Sequence, residues 1–377
     1  MNTPLTIEKI VHNGYGLARG AREHNKTYFI PYTIEGESVK IKIIEDKHNF
    51  AYAEAVEILK RSPHRIQPEC PHFQICGGCD FQHIGYDHQI EIKKGILQEF
   101  LKKEEITPAE PPVFIPSPEP YHYRLNARLQ VWNKRAGYFQ KNSKKVIPID
   151  ACPILPEHVF NFIRSIKDMP SVPELNIKTD NNKTISANIR DNKLSYTIDD
   201  LKVEYDHRVF FQANQFLIRP WLDLIRGLAE PFNKKRVVEL YCGTGIISLY
   251  LAKNLSIKKI TGIDSDNTAA NYAKRNREKN KLFNTNFVAG KVERVIDNYD
   301  HANIVIIDPP RKGVPEEVLA GILKLKPEAI IYTSCEISTF IRDTQYLTSK
   351  SYTLEKLTCL DMFPQTYHFE TVGLFVK

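Results

Sequence analysis

Long hydrophobic runs are missing from this chain. No stretch approaches the roughly 20 uncharged apolar residues that cross a bilayer, so a membrane span is not expected. The opening MNTPLTIEKIVHNGYG has no apolar core of the kind a secretion signal carries, which makes the cytoplasm the expected location. Low-complexity tracts are absent too, and 42% hydrophobic with 26% charged residues is a globular composition. Cysteine is scarce. Seven cysteines in 377 residues, an odd number with no secretion signal, argue against a disulfide framework. The charge surplus is small: a net +7 admits an anionic partner without specifying one.

What is present falls into three stretches. Residues 1–60 read as short strands (LTIEKIV, TYFIPYT, SVKIKIIED, FAYAEAVEILK) with a turn at HNGYG, the pattern of a small β-barrel. Residues 61–208 begin with an irregular Pro-, Cys- and His-rich segment, followed by the helical YDHQIEIKKGILQEFLKKEEI. Six prolines between 108 and 120 mark a linker, and strand-like runs return from Tyr121 to about Asp206. From 209 to 377, strands alternate with helices, and the buried strands are near-continuous apolar runs. That pattern predicts an α/β domain with a doubly wound, Rossmann-like parallel sheet, whose ligands bind at the carboxyl ends of the strands.

VVELYCGTGIISLYLA is a strand, a glycine turn and a helix; Gly243 and Gly245 let the backbone approach a ligand in front of a helix N-terminus. Asp264 closes the next strand, 19 positions after Gly245, where a carboxylate meets a ribose hydroxyl pair. Ser248 occupies the place of a third fingerprint glycine, and Glu239 is expected to put an acid toward the cofactor pocket. Such an acid suits an aminoacyl cofactor and repels a pyrophosphate, which favours S-adenosylmethionine over NAD.

NIVIIDPPRKG sets Asp308 and Arg311 just past a buried strand, on a stretch that Pro309 and Pro310 stiffen. AIIYTSCEISTF ends the following strand at Cys335. A buried cysteine is more often packing than nucleophile, but this strand end opens onto the same crevice. Uracil C5 becomes nucleophilic only when something adds to C6, and a thiolate suits that reversible addition. The methylated adduct must then lose its C5 proton to a base, and Glu370, among the aromatic and apolar residues of PQTYHFETVGLF, is the candidate. From Tyr121 to Ile149, seven basic residues (Arg124, Arg128, Lys134, Arg135, Lys141, Lys144, Lys145) interleave with Tyr121, Tyr123, Trp132, Tyr138 and Phe139. No acid falls in that stretch, which is the composition of a single-stranded RNA surface.

Over nearly its whole length the chain resembles the RNA uridine-5-methyltransferases, the family of bacterial 23S rRNA and tRNA T-loop 5-methyluridine enzymes. The resemblance implies an S-adenosylmethionine-dependent enzyme with Cys335 as nucleophile and Glu370 as base. Gln212 in FFQANQ, Tyr241, Asp264 and Asp308 then fall on cofactor positions, beside Gly243. It implies that residues 1–60 are a TRAM domain, an OB-like RNA-binding barrel, and that residues 61–208 form a central RNA-binding domain. The helical segment at about 81–114 would pack on the 209–377 methyltransferase domain. By the same likeness Cys70, Cys76, Cys79 and Cys152 would hold a [4Fe–4S] cluster. Four thiolates at C-x5-C-x2-C plus a distant cysteine also suit zinc on spacing alone. A TRAM-like segment together with four such cysteines favours 23S rRNA over tRNA as substrate, for a monomeric enzyme. The alternatives are a tRNA T-loop methyltransferase and a non-catalytic RNA-binding assembly factor. The chain departs from the family pattern in two places: Glu336 and Ile337 follow the cysteine in place of Asn or Asp and Pro, and Ile246 replaces a polar residue after the glycine turn.

Overall fold

The computed structural model describes residues 4–20, 26–166, 172–232 and 235–377. Strands β1 (Leu5–Thr6), β2 (Lys9–Ile10), β3 (Tyr15–Arg19), β4 (Thr27–Pro31), β5 (Ser38–Asp46) and β6 (Phe50–Lys60) form one sheet in the order β1-β5-β6-β4-β3-β2. The alternation read in SVKIKIIED is the reason: Val39 and Ile41 are buried while Lys40 and Lys42 face outward. Asn13 and Gly14 both adopt positive φ, which lets the chain reverse between β2 and β3.

Helix α1 (Tyr86–Lys103) buries Ile92, Ile96, Leu97 and Leu101 in a core continuous with both the N-terminal sheet and the C-terminal one. At about 1.5–3 kcal/mol per buried aliphatic side chain, that stripe fastens the helix to the rest of the molecule. The proline-rich stretch after it is not only a linker. It contains β7 (Val113–Ile115), which adds a parallel edge strand to the large sheet beside Thr358–Leu360. Prolines flank that strand without interrupting it, and an edge position tolerates them.

Strands β8 (Asn126–Trp132), β9 (Arg135–Phe139) and β10 (Val146–Pro148) precede helix α2 (Glu157–Ser165), and β11 (Glu174–Thr179) and β12 (Ile185–Ala187) follow it. They make a five-stranded sheet, β10-β9-β8-β11-β12, with α2 lying on it through Val159, Phe160 and Ile163. The strand-only expectation for this region missed α2, whose nine residues carry a single apolar face. A hairpin, β13 (Leu194–Ile198) and β14 (Leu201–Tyr205), completes the middle of the chain.

After helix α3 (Ile218–Ala229) comes the alternating series. It runs β15 (Arg236–Leu240), α4 (Ile246–Asn254), β16 (Lys259–Asp264), α5 (Asn267–Asn280), β17 (Thr285–Ala289) and the short α6 (Val292–Val295). It continues with β18 (Ile304–Ile307), α7 (Glu316–Lys324), β19 (Ala329–Ser334), α8 (Ile337–Ser349), β20 (Thr353–Leu360) and β21 (Glu370–Val376). The eight-stranded sheet has the order β17-β16-β15-β18-β19-β21-β20-β7. Its first five strands are parallel, and β21 runs antiparallel to β19. The strand order reverses between β15 and β18, and in sheets of this kind ligands bind at the strand ends beside that point. This is the doubly wound α/β domain expected from the sequence, preceded by a β-rich N-terminal sheet.

Candidate active site and metal centre

The glycine turn follows β15. Gly243 and Gly245 have φ of +52° and +79°, and a Cβ at Gly245 would lie 2.7 Å from the Phe287 ring, so only glycine fits there. Beside Gly243 nothing stands within 4 Å of where a Cβ would be: the turn faces open space. Asp264, at the end of β16, accepts hydrogen bonds from Gly243 N (2.7 Å) and Asp266 N (2.8 Å), which fix its carboxylate at the mouth of the turn. Burial raises its pKa above the usual carboxylate value.

Glu239 does not face the pocket as expected. Its side chain is buried and accepts hydrogen bonds from both Ser248 N (3.0 Å) and the Ser248 hydroxyl, so it ties β15 to the first turns of α4. Burial pushes this carboxyl up to about 8, against those bonds. It therefore offers no charge to a cofactor's amine.

The reaction end of the crevice is built from three neighbouring strands. Asp308 follows β18, Cys335 follows β19 and Glu370 opens β21. Gln212 Nε2 donates to Asp308 Oδ2 at 3.3 Å, bringing the FFQANQ segment to the same place. Thr333 Oγ1, one residue pair before Cys335 and fully buried, lies 3.1 Å from Asp308 Oδ1 and 2.8 Å from Glu370 Oε1. Burial raises the Asp308 carboxyl to about 7, with Asp264 adding to the shift. Glu370 is raised well above the ordinary range by burial and by Asp308.

Cys335 is half-buried. Burial pushes its thiol up to about 12, the acids Glu370, Asp308 and Glu336 add to the effect, and the Arg311 guanidinium opposes it. These surroundings favour the protonated thiol. Glu336, one of the residues that depart from the family pattern, meets a partner from the N-terminal region: His12 Nε2 stands 3.3 Å from its Oε1. Against burial, the hydrogen bond to His12 holds this carboxyl at about 2. Tyr241, with φ +62° immediately after β15, lies partly buried at the cofactor end with Ser265 and Lys291 around an adjoining cavity.

Sequence reasoning missed Thr333, because a hydroxyl on a buried strand reads as core. It also missed the support under the loop between β20 and β21. There Lys93 of α1 and Asp361 form a fully buried ion pair (2.5 Å), Tyr86 donates to Asp361 (2.9 Å), and Gln89 bonds Gln365 (3.0 Å).

Cys70, Cys76, Cys79 and Cys152 line one cavity of about 40 Å³, together with Arg124 and Tyr138. Gly78 N points at Cys76 Sγ (3.4 Å) and Gln82 accepts from Cys70 N (3.0 Å). Burial raises all four thiols, Cys152 to about 12. Among the described residues no three His, Cys, Asp or Glu side chains are grouped tightly enough to hold a metal ion.

The basic stretch divides. Tyr123 is buried, and Arg124 lies against the cysteine cavity. Arg128 pairs with Glu174 and Arg135 with Asp150, while Lys141 bonds Asp80 (2.6 Å) over the rings of Tyr15 and Tyr32. Trp132 (64% exposed), Phe139 (41%), Lys134, Lys144 and Lys145 remain on the surface. No helix among the described residues is long and apolar enough to cross a membrane.

Residues 231–363 match the methyltransferase-domain family and residues 3–56 the TRAM-domain family. An RNA methyltransferase of Leptospira interrogans is 32% identical, aligned over 96% of this chain and 92% of its own. The chain belongs to the RNA methyltransferases. A 23S rRNA (uracil(1939)-C(5))-methyltransferase of Vibrio parahaemolyticus is 27% identical over 99% of this chain and 95% of its own. Among solved structures, this RNA methyltransferase is similar to the tRNA (uracil-54, C5)-methyltransferase of Pyrococcus abyssi in complex with S-adenosyl-L-homocysteine. The TM-score is 0.79 at 21% identity, with 99% and 100% of the two chains covered, which is a likeness of fold.

Proposed function

We propose that this RNA methyltransferase forms 5-methyluridine, by addition of Cys335 to uracil C6, methylation at C5 and removal of the C5 proton by Glu370. The observation that carries the reading is convergence: a thiol, a buried and a half-buried carboxyl and a glycine turn lie at the carboxyl edge of one sheet. Each part answers a need of the chemistry. S-adenosylmethionine, when bound, supplies the methyl group as an electrophile. Gly243, Asp264, Tyr241, Gln212 and Asp308 are the residues that would hold it, since the open turn and the Asp264 carboxylate fit an adenosyl group. Cys335 adds to C6 as a thiolate, giving up its proton on substrate binding, and Arg311 is the cation near enough to favour that ionisation. Glu370, raised by burial, is a stronger base than an exposed carboxylate.

The substrate is RNA with its target uridine unstacked, since a paired base cannot reach a half-buried thiol. Trp132 and Phe139 offer rings for neighbouring bases, and Lys134, Lys144 and Lys145 offer charge for phosphates. We favour 23S rRNA, which the Vibrio relative's name specifies. Four cysteines lining one cavity are a complete thiolate set for a [4Fe–4S] cluster, which we favour over zinc on the family likeness. The test is nucleoside mass spectrometry of 23S rRNA and tRNA transcripts after incubation with the enzyme and methyl donor. The expected result is 5-methyluridine in rRNA; 5-methylcytidine or N6-methyladenosine in its place would overturn the uracil reading.

A further inference from the structure

Two carboxyls, one hydroxyl. Thr333 Oγ1 stands within hydrogen-bond distance of both Glu370 Oε1 (2.8 Å) and Asp308 Oδ1 (3.1 Å). A threonine hydroxyl has one hydrogen to give. With both carboxyls ionised, one of these contacts would set two bare lone pairs against each other inside the protein. The arrangement is satisfied only when one carboxyl is protonated and donates to Thr333 while Thr333 donates to the other. The Glu370–Thr333–Asp308 chain therefore holds one proton, and its direction can reverse without any heavy atom moving.

The members of the chain are not equivalent. Glu370 is 3% exposed, whereas Asp308 is half-buried and accepts a further hydrogen bond from Gln212 (3.3 Å). The resting proton thus belongs on Glu370, where it disables the base. Resting on the uracil reading above, we infer that Thr333 is a positioning residue that passes this proton to Asp308 and so leaves Glu370 ionised to act. In that step the Glu370 proton moves to Thr333 Oγ1 as the Thr333 hydrogen moves to Asp308 Oδ1. Glu370 then takes the C5 proton. The C5–H electron pair becomes the C5–C6 double bond, and the C6–S pair leaves with Cys335 as thiolate. Asp308, the more exposed partner, releases the surplus proton to solvent. Burial raises both carboxyls, with Asp264 adding at Asp308 and Asp308 adding at Glu370, and the Thr333 hydrogen bond lowers each.

Thr333→Val keeps the shape of a buried strand residue and removes the hydroxyl; Thr333→Ser keeps the hydroxyl. RNA carrying 5-fluorouridine has no C5 proton to lose, so the covalent adduct forms without the base. Expected for Thr333→Val is adduct formation at the wild-type rate, with turnover on uridine RNA about tenfold lower or more. A larger kinetic isotope effect with 5-deuterated uridine is expected as well. The pH for half-maximal turnover should also move upward, because a carboxylate that loses its donor ionises later. Thr333→Ser should restore turnover to within about twofold of wild type, as it keeps the general acid–base group. Wild-type turnover and an unchanged isotope effect in Thr333→Val would overturn the inference and leave the uracil reading standing. So would adduct formation and turnover falling together. No adduct in the wild type would overturn both.

Discussion

Asp308 shows what the site costs the protein. Its carboxyl, near 4 when unfolded, is raised to about 7 in the folded crevice, chiefly by burial. Between these values the folded state binds more protons than the unfolded state, so this group's contribution to stability falls as pH rises from about 4 to about 7. Asp308→Asn removes the titration. Relative to wild type, the variant's melting temperature should rise with pH between 4 and 8, while methyl transfer is lost. A difference independent of pH, measured by thermal unfolding in matched buffers, would contradict the assignment. At this scale the sequence was informative where chemistry dictates type and place. Cys335, Asp308 and Glu370 all lie at strand ends, where a parallel sheet presents its ligands. It was silent on Thr333 and misleading on Glu239, because which side of a strand a polar residue faces, and what it meets there, depends on register across strands far apart in sequence.

Elements follow local pattern closely where that pattern is long. SVKIKIIED and FAYAEAVEILK are β5 and β6 residue for residue, and NTAANYAKRNREKN is α5. Helix α5 also has its signals in place: Asp266 accepts from Thr268 N (2.7 Å) and Ala269 N (3.2 Å) at its start, and Lys281 with φ +55° ends it. Short elements escaped, because three residues among prolines (β7) or nine in a strand-rich region (α2) carry too little periodicity. The ion pair between α1 and the β20–β21 loop is likewise invisible in sequence, since Lys93 and Asp361 stand 268 positions apart. With both side chains fully buried, Lys93→Ala strands the Asp361 charge and should cost about 3–5 kcal/mol. Replacing both residues with apolar ones should cost less than the single change. Chemical denaturation of the three proteins measures this, and equal losses would show that the charge pair is not what holds the loop.

For the whole molecule, the N-terminal sheet, α1 and the methyltransferase sheet share one core, and His12 reaches from the first to the residue after the nucleophile. RNA bound on the outer surfaces, as proposed, would thus be held relative to Cys335. Trp132→Ala should weaken RNA binding by about 1–3 kcal/mol, the worth of one stacked base, with methyl-donor affinity unchanged. Fluorescence titration reads both, and an unaltered RNA affinity would remove Trp132 from the interface. The cysteine cavity joins the loop at 70–79 to Cys152, so a cluster held there would brace the fold. Enzyme purified without oxygen should carry iron and acid-labile sulfide, and Cys79→Ser should lack both and unfold at lower temperature. Zinc without iron would contradict the cluster.

The central claim is a sulfur–carbon bond between Cys335 and the uracil ring, and its most direct test is mass spectrometry. The enzyme is incubated with its methyl donor and 23S rRNA fragments carrying 5-fluorouridine, then denatured and digested. A peptide containing Cys335 joined to a methylated fluorouridine is the expected product, absent from Cys335→Ala. An adduct on another residue, or turnover by Cys335→Ala, would contradict the account.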